Sequence, residues 1–144
     1  MTVIRDISLR NMIKRHEGSV KKKGRHIVYK DSLGIETIGY GRNVRDRGLS
    51  EEEAEYLLLN DIKEALFSLA EKFPWFVHMT QRRQYALANM YHNLGLPRLL
   101  GFRKMLQALE SKDYETAAVE ALDSKWATQV GKRADEIAQM IKDG

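Results

Sequence analysis

The sequence contains no cysteine, only two prolines and no long apolar run. Without cysteine, the chain can form neither a disulfide nor a thiolate metal site, and it has no nucleophilic thiol. Its longest apolar runs are a few residues, whereas a membrane-spanning helix needs about 20, so no stable membrane insertion is expected. The start, "MTVIRDISLRNMIKRHE", also lacks the apolar core of a secretory signal. We therefore expect no signal peptide or anchor.

Motifs for metal, nucleotide or cofactor binding are missing as well. The histidines at positions 16, 26, 78 and 92 form no i,i+4 pair and no ligand cluster, so no metal site is expected. No P-loop, G-x-G-x-x-G or G-x-S-x-G pattern occurs, and "GYG" is too short to count as one. The sequence therefore predicts a protein that needs no cofactor.

The composition that is present fits one soluble globular domain. The 144 residues are 43% hydrophobic and 31% charged, enough for a sizeable core but too few for two independent domains. The net charge of +4 and the pI near 9.3 favour polyanionic partners, namely nucleic acid, acidic lipids or an anionic cell wall. A basic soluble protein without such a partner would have the same composition.

Apolar periodicity predicts an amino-terminal helix that ends near Glu17-Gly18, with Asp6 or Ser8 as its cap. Its apolar face would consist of Ile4, Ile7, Met12 and Ile13. A β-hairpin should follow, because residues 26–30 and 35–40 are rich in β-branched and aromatic side chains and "DSLG" between them suits a type I turn. Two glycines then loosen the chain toward a short third strand before "RDRG" turns it.

The remainder is predicted to be helical. Ser50 and Glu53 form a capping-box pattern at the start of a long helix over about residues 50–73, and Thr80 and Asp113 are caps of later helices. The stripe of the long helix comprises Ala54, Leu58, Asp61, Ile62, Ala65, Leu66 and Leu69. The later stripes comprise Phe102, Met105, Leu106 and Leu109, then Ala134, Ile137, Ala138 and Ile141.

These elements predict an α+β protein with two lobes in a single domain, residues 1–144. The small hairpin lobe would span about 18–48, and the larger helical lobe about 74–144 together with the amino-terminal helix. The long helix, about 50–73, would join them. A ligand site is expected in the cleft between the lobes.

Three polar residues, Glu17, Asp31 and Thr37, would stand near this cleft. Two carboxyl groups across a gap suit glycoside hydrolysis, in which one protonates the leaving oxygen and the other activates water or attacks the sugar. Local rules also explain all three without any function, because a glutamate can end a helix, aspartate starts many turns and threonine favours strands. The spacing alone leaves both interpretations open.

The order of the motifs resembles that of one known family. "HEG", "VYKDSLG" and "IETIGYG" are similar to the active-site region of the phage-type lysozymes, glycoside hydrolase family 24. That region has Glu-Gly at a helix end, Tyr-x-Asp, a short turn and Thr-Ile-Gly-x-Gly. "RRQYALANMYHNLG" and residues 101–137 look like the helical lobe of the same family. The two blocks cover most of the chain.

The resemblance implies a lysozyme that hydrolyses the β-1,4 bond between N-acetylmuramic acid and N-acetylglucosamine in bacterial peptidoglycan. Glu17 would be the general acid, Asp31 the carboxylate on the side of the attacking water, and Thr37 the hydroxyl that positions this water. Arg133 would orient Glu17. Sugar contacts are expected from the helical lobe, at Asn89, Tyr91, His92, Asn93 and Trp126.

Three features depart from the family pattern. Arg42 stands where the family often has histidine, so the interaction of that histidine is lost or replaced. The linker before the long helix is short. The segment "VKKKGR", residues 20–25, makes the spacing between Glu17 and Asp31 longer than usual. It is interpreted either as a solvated loop or as a cationic insertion that attracts the anionic wall or lipid phosphates.

The resemblance further implies an endolysin: a monomer that accumulates in the host cytoplasm, reaches the wall through a membrane lesion such as a holin makes, and lyses the host. A tail-associated lysozyme would share the fold, but no flanking domain is visible. A lytic transglycosylase would need only the acid. A nucleic-acid-binding helical domain would share the basic charge, but acidic residues interleaved along the helices argue against a nucleic-acid partner.

Overall fold

The computed structural model describes residues 7–144, so Ile4 and Asp6 of the predicted first helix lie outside the described residues. The protein is mostly helical with a small antiparallel sheet region, which confirms the predicted α+β class. Contacts divide the chain into two compact units, with the boundary after Glu55. Within the described part of the chain, no helix has both the length and the apolar character needed to span a bilayer.

Between residues 7 and 50, the first unit contains one longer helix, five short strands and one short helix. In chain order they are α1 (Ile7–Glu17), β1 (Lys21–Lys22), β2 (Arg25–His26), β3 (Tyr29–Lys30), β4 (Glu36–Ile38), β5 (Arg42–Asn43) and α2 (Val44–Arg47). β1 and β2 form an antiparallel pair, and β3, β4 and β5 form a three-stranded antiparallel sheet in that order. α1 ends at Glu17, as predicted.

The predicted first strand of the hairpin, residues 26–30, is wrong as a single element. His26 pairs with Lys21 in β1–β2, whereas Tyr29 pairs with Thr37 in the other sheet. The physical reason is a second turn that precedes the predicted one. Lys23 and Gly24 both have positive φ, 52° and 77°, as a two-residue type I′ hairpin turn requires. "VKKKGR" therefore forms most of a hairpin rather than a loop.

The predicted turn at "RDRG" is also replaced by regular structure, because residues 44–47 form the helix α2. Asn43 caps it by accepting a hydrogen bond from the backbone N–H of Asp46 at 3.0 Å. The three-stranded sheet is otherwise as expected. The "DSLG" turn closes with a hydrogen bond of 2.9 Å from the Gly34 N–H to the Asp31 carbonyl.

The long helix α3 spans Glu51–Lys72, and its predicted capping box is confirmed. The Ser50 N–H donates to Glu53 Oε1 at 2.9 Å, and the Glu53 N–H donates to Ser50 Oγ at 3.1 Å. Its predicted apolar stripe is only partly a core face. Ala65 and Leu69 are buried, whereas Leu58 and Ile62 are 46% and 41% exposed. Periodicity shows which side chains share a face, but not how much of that face is covered.

The second unit is a helical assembly around one apolar core. Its helices after α3 are α4 (Gln81–Leu94), α5 (Leu96–Leu99), α6 (Arg103–Glu110), α7 (Tyr114–Leu122), α8 (Lys125–Val130) and α9 (Lys132–Asp143). Helix α7 packs on α6 and α9, and α9 also packs on α4. The predicted caps are confirmed: Thr80 Oγ1 accepts from the Arg83 N–H, and Asp113 Oδ1 accepts from the Thr116 N–H.

The buried core of the second unit includes all but one of the predicted apolar positions of its later helices; Phe102, which precedes α6, is half-buried and packs against the core. Met105, Leu106 and Leu109 on α6 are buried, as are all four predicted positions on α9. Full burial of one such large side chain stabilises a fold by about 1.5–3 kcal/mol. The side chains that are essentially inaccessible to solvent are Leu69, Leu87, Met90, Leu99, Met105, Leu109, Ile137 and Ile141.

Candidate active site

Glu17 occupies the last position of α1, where its exposed side chain leaves the helix. Gly18 follows with a φ of +62°, a left-handed conformation that commonly ends a helix. The carboxyl group of Glu17 packs against the backbone of Gly41. A Cβ atom at Gly41 would lie 2.7 Å from Glu17 Cδ and 2.9 Å from Oε2. Because no side chain fits there, glycine at position 41 is a condition for this placement of Glu17.

Side chains on both sides of Gly41 fix this stretch of backbone. The rings of Tyr40 and His26 meet edge to face, with ring centroids 5.0 Å apart. The ammonium group of Lys14, one turn before Glu17 on α1, lies 5.0 Å from the centre of the same tyrosine ring. This is a cation–π geometry. The loop that carries Gly41 is therefore attached to both β2 and the helix of Glu17.

Arg42 ties the other side of Gly41 to the start of α3. Its Nη1 donates to Glu53 Oε1 at 3.2 Å and to the Gly48 carbonyl at 3.4 Å, and its Nη2 donates to Glu53 Oε2. The Ser50 backbone N–H and the Arg42 guanidinium hold the pKa of Glu53 below its usual value of 4.5. Arg42 and Glu53 thus form a bidentate arginine–carboxylate pair, which fixes the backbone that follows Gly41.

Asp31 begins the turn between β3 and β4, and backbone groups fix its side chain. Its Oδ1 accepts hydrogen bonds from the N–H of Leu33 at 2.8 Å and of Ile35 at 2.9 Å. Such bonds are typical of an aspartate that starts a turn. Oδ2 has no hydrogen bond to any residue in the described range 7–144. One carboxylate oxygen is therefore structural and the other is available to a ligand or water.

Thr37 lies in β4, the central strand, and is the single buried polar side chain among the described residues, 3% exposed. Its hydroxyl donates to the Ile35 carbonyl at 2.9 Å. Ile35 thus binds Asp31 through its N–H and Thr37 through its carbonyl, so the structure brings these two candidates together. The only hydroxyl proton of Thr37 is used in this bond, and a water could meet it only by donating to the oxygen.

Arg133 and Asn89, both in the second unit, form one hydrogen-bonded pair. Arg133 Nε and Nη2 donate to Asn89 Oδ1 at 2.9 and 2.7 Å. The amide oxygen therefore orients the guanidinium of α9 from α4. Glu17 belongs to the first unit, so its orientation by Arg133 stays a prediction.

Trp126 and Asn93 form a second pair in this unit. The indole Nε1 donates to Asn93 Oδ1 at 2.7 Å, and the ring of Phe102 meets the indole edge-on. Trp126 is buried and helps to line an open groove of about 700 Å³ on this unit. Of the other predicted sugar contacts, Tyr91 is half-buried against the core, while His92 is exposed. Their roles in binding stay predictions.

Sequence reasoning missed four residues around Glu17: Lys14, His26, Tyr40 and Gly41. The sequence feature that could have indicated this contact is the "GYG" stretch, because glycine lets another group approach the backbone closely, and both glycines have a positive φ. That signal does not identify the group that approaches. Within residues 7–144, no three His, Asp or Glu side chains come together as possible metal ligands.

Comparison with known proteins identifies the family of this chain. The phage lysozyme family model matches residues 14–139, which include every candidate residue named above. Probable T4-type lysozymes 2 and 1 of Dictyostelium discoideum are 28% and 27% identical to this chain, with 95% of each partner covered. The pre-baseplate central spike protein Gp5 of Enterobacteria phage T4 is 28% identical over 96% of this chain but only 28% of its own length. The chain therefore belongs to the phage lysozyme family, and it is a lysozyme-type glycosidase, a hydrolase that acts on peptidoglycan.

Proposed function

We propose that this protein is a muramidase that hydrolyses the β-1,4 bond between N-acetylmuramic acid and N-acetylglucosamine. The observation that carries the proposal is the arrangement of the first unit. One carboxyl group, that of Glu17, is seated against a bare glycine backbone. A second, that of Asp31, is linked through Ile35 to the buried hydroxyl of Thr37. Hydrolysis of a glycosidic bond needs two such groups with different tasks.

In this proposal, Glu17 is the general acid that protonates the leaving oxygen of the sugar. Asp31 Oδ2, the oxygen not held by backbone N–H groups, accepts a proton from the attacking water. Thr37 accepts a hydrogen bond from the same water. Direct attack by water inverts the anomeric centre, and the two carboxyl groups of inverting enzymes are about 6.5–9.5 Å apart. A covalent sugar ester on Asp31 would contradict this mechanism.

The helical unit contributes substrate contacts in the same proposal. Arg133, whose guanidinium is held by Asn89, keeps in this proposal the role that the resemblance implies, that of orienting Glu17. Asn93, Tyr91, His92 and Trp126 contact the sugar chain. The expected biological role is that of an endolysin, a monomer that waits in the host cytoplasm and lyses the cell after a holin-type lesion opens the membrane.

The decisive experiment replaces Glu17 by Gln, because an amide has no acidic proton to donate. We expect less than a tenth of the wild-type rate of reducing-end release from purified sacculi, a barrier increase above about 1.4 kcal/mol. Asp31→Asn should be nearly as damaging. Glu52→Gln, an exposed glutamate in the first turn of α3, is the matched control and should keep full activity.

The products distinguish the proposal from its alternatives. Reducing muramic acid ends indicate hydrolysis, whereas 1,6-anhydro ends would indicate a lytic transglycosylase. Lysis of chloroform-treated Gram-negative cells by the wild type tests the endolysin role. If Glu17→Gln retains more than a tenth of the activity with an unchanged melting curve, the general acid is another residue.

A further inference from the structure

The hairpin β1–β2 concentrates positive charge in the first unit. Lys21, Lys22, Lys23 and Arg25 are all exposed, and no acidic residue occurs between Glu17 and Asp31. We call residues 21–26 the basic hairpin. Among the described residues, no ion pair involves the three lysines. The charge of the lysines is therefore presented to solvent without a counter-charge.

Local stability does not favour the lysine at the turn. Lys23 has a φ of 52°, which glycine, asparagine or aspartate adopts at lower cost in a type I′ turn. Each strand has only two residues, so little ladder bonding offsets this cost. Lys22 also lies directly opposite Arg25, so the register of the pair brings two cationic side chains together. Residues that oppose local stability in this way concentrate at functional sites.

The base of the basic hairpin is attached to the loop beside the candidate general acid. His26, the last residue of β2, contacts the ring of Tyr40. Tyr40 precedes Gly41, whose backbone packs against the carboxyl group of Glu17. All these contacts lie within the first unit. An anionic chain bound by the hairpin would therefore be held next to the position where a glycosidic oxygen meets Glu17.

We propose that the basic hairpin binds the free carboxylates of the peptide stems of peptidoglycan and so extends the substrate-binding surface. This inference rests on the proposed function, because it assumes that the glycan strand lies at Glu17. Peptide stems carry several free carboxylates along each strand. Lysine suits such a partner, because its ammonium is a mobile point charge on a four-carbon stem and can follow anions whose positions vary.

The test measures binding of purified sacculi by co-sedimentation, in the Glu17→Gln background so that the sacculi stay intact. Native sacculi are compared with sacculi whose carboxylates have been amidated with carbodiimide and methylamine. The triple variant Lys21→Gln, Lys22→Gln, Lys23→Gln should bind native sacculi about tenfold more weakly at 0.02 M salt. On amidated sacculi it should match its parent.

High salt and a charge-matched variant provide the controls. At 0.5 M salt the screening length falls to roughly 4 Å, and the difference between the triple variant and its parent should disappear. The control variant Lys63→Gln, Lys72→Gln, Lys142→Gln removes the same charge from exposed helix positions elsewhere. It should bind native sacculi within about twofold of the parent, because none of these lysines belongs to the hairpin whose contacts lead through Tyr40 to Glu17.

Two results would overturn the inference. They are equal binding of native sacculi by parent and triple variant at low salt, and an equal loss on native and amidated sacculi. If the first result is accompanied by lost binding to phosphatidylglycerol–phosphatidylethanolamine vesicles, the partner is an anionic lipid. The proposed function fails separately: a wild-type protein that releases no reducing ends from sacculi would refute it, whatever the hairpin binds.

Discussion

The two units of this protein are held together by different interactions. Among residues 7–55, only one side chain, that of Thr37, is buried, and no apolar side chain is. The turn at Asp31, the cap of α3, the Arg42–Glu53 pair and the Tyr40 contacts stabilise this unit instead. In the second unit, buried apolar side chains between Leu69 and Ile141 form one connected cluster.

Because of this difference, we expect the free energy of unfolding and the rate of the reaction to depend on different units. The three proposed catalytic residues lie in the first unit, in which no apolar side chain among residues 7–55 is buried and hydrogen bonds and close contacts fix the backbone. The second unit supplies most of the apolar burial, which is the main favourable term in folding. We therefore expect core substitutions to change the free energy of unfolding, and substitutions in the first unit to change activity.

The largest expected effect is that of a core truncation in the second unit. Leu87 on α4 is fully buried, and Leu87→Ala should lower the free energy of unfolding by about 2–5 kcal/mol through lost burial and a residual cavity. Leu33→Ala is the matched change in the first unit, at a side chain that is 82% exposed, and should be nearly neutral. Urea unfolding measures both. Equal losses would abolish the distinction between the units.

A smaller effect is expected at Gly41, where a change in the first unit should act on the reaction. Gly41→Ala places a methyl group against the Glu17 carboxyl and should lower the rate of reducing-end release by roughly 10–100-fold, about 1.4–2.7 kcal/mol. Gly39→Ala controls for the backbone strain of placing alanine at a positive φ. Gly39 also has a positive φ, +65°, but a methyl group there would meet no atom within 4 Å.

Both glycine variants carry the same kind of backbone cost, about 1–2 kcal/mol for an L-residue in the left-handed region. Melting temperatures should therefore fall similarly, while activity at a temperature well below both should fall only for Gly41→Ala. If Gly39→Ala loses as much activity as Gly41→Ala, general strain in the loop explains the loss and the contact with Glu17 does not.

The smallest expected effect is a local dependence on pH. Because the pKa of Glu53 is lowered in the folded protein, its contribution to stability is present above its ordinary value of 4.5 and is lost as the pH falls through the lowered value. Glu53→Gln should flatten this part of the acid dependence in the first unit, as measured by hydrogen exchange of β5 and of the first turn of α3. In the second unit, hydrogen bonds from the Thr116 side chain and N–H lower the pKa of Asp113, and Asp113→Asn should act there alone.

A uniform response would contradict this division. If Glu53→Gln changes the acid dependence of exchange in α7 as much as in β5, the two units titrate and unfold as one. Glu52→Gln, one position away on α3, controls for the loss of a negative charge near the helix start.

The features predicted correctly from the sequence are those whose partners lie within a few residues. Ser50, Thr80 and Asp113 cap their helices because each oxygen meets an N–H three residues ahead. Asp31 closes its turn in the same local manner. The resemblance to phage lysozymes gave the family, which the comparisons confirm, whereas the catalytic roles that it implies for Glu17, Asp31 and Thr37 stay predictions.

The features missed depend on segments that are distant along the chain. The contact between Glu17 and Gly41, the pair Arg42–Glu53 and the bond Arg133–Asn89 require knowledge of where the backbone folds back. The strand assignment at His26 failed because Lys23 occupies a turn position that normally signals itself by asparagine or glycine.

The positions of the tryptophans along the chain have a spectroscopic consequence. The chain has two tryptophans, Trp75 and Trp126, and both belong to the second unit. Tryptophan emission therefore reports on the second unit and does not report directly on the unit that contains Glu17, Asp31 and Thr37. A melt followed by tryptophan emission that coincides with the loss of lytic activity would indicate concerted unfolding. Activity that disappears at a lower temperature, while emission is unchanged, would reveal a catalytic unit that opens first.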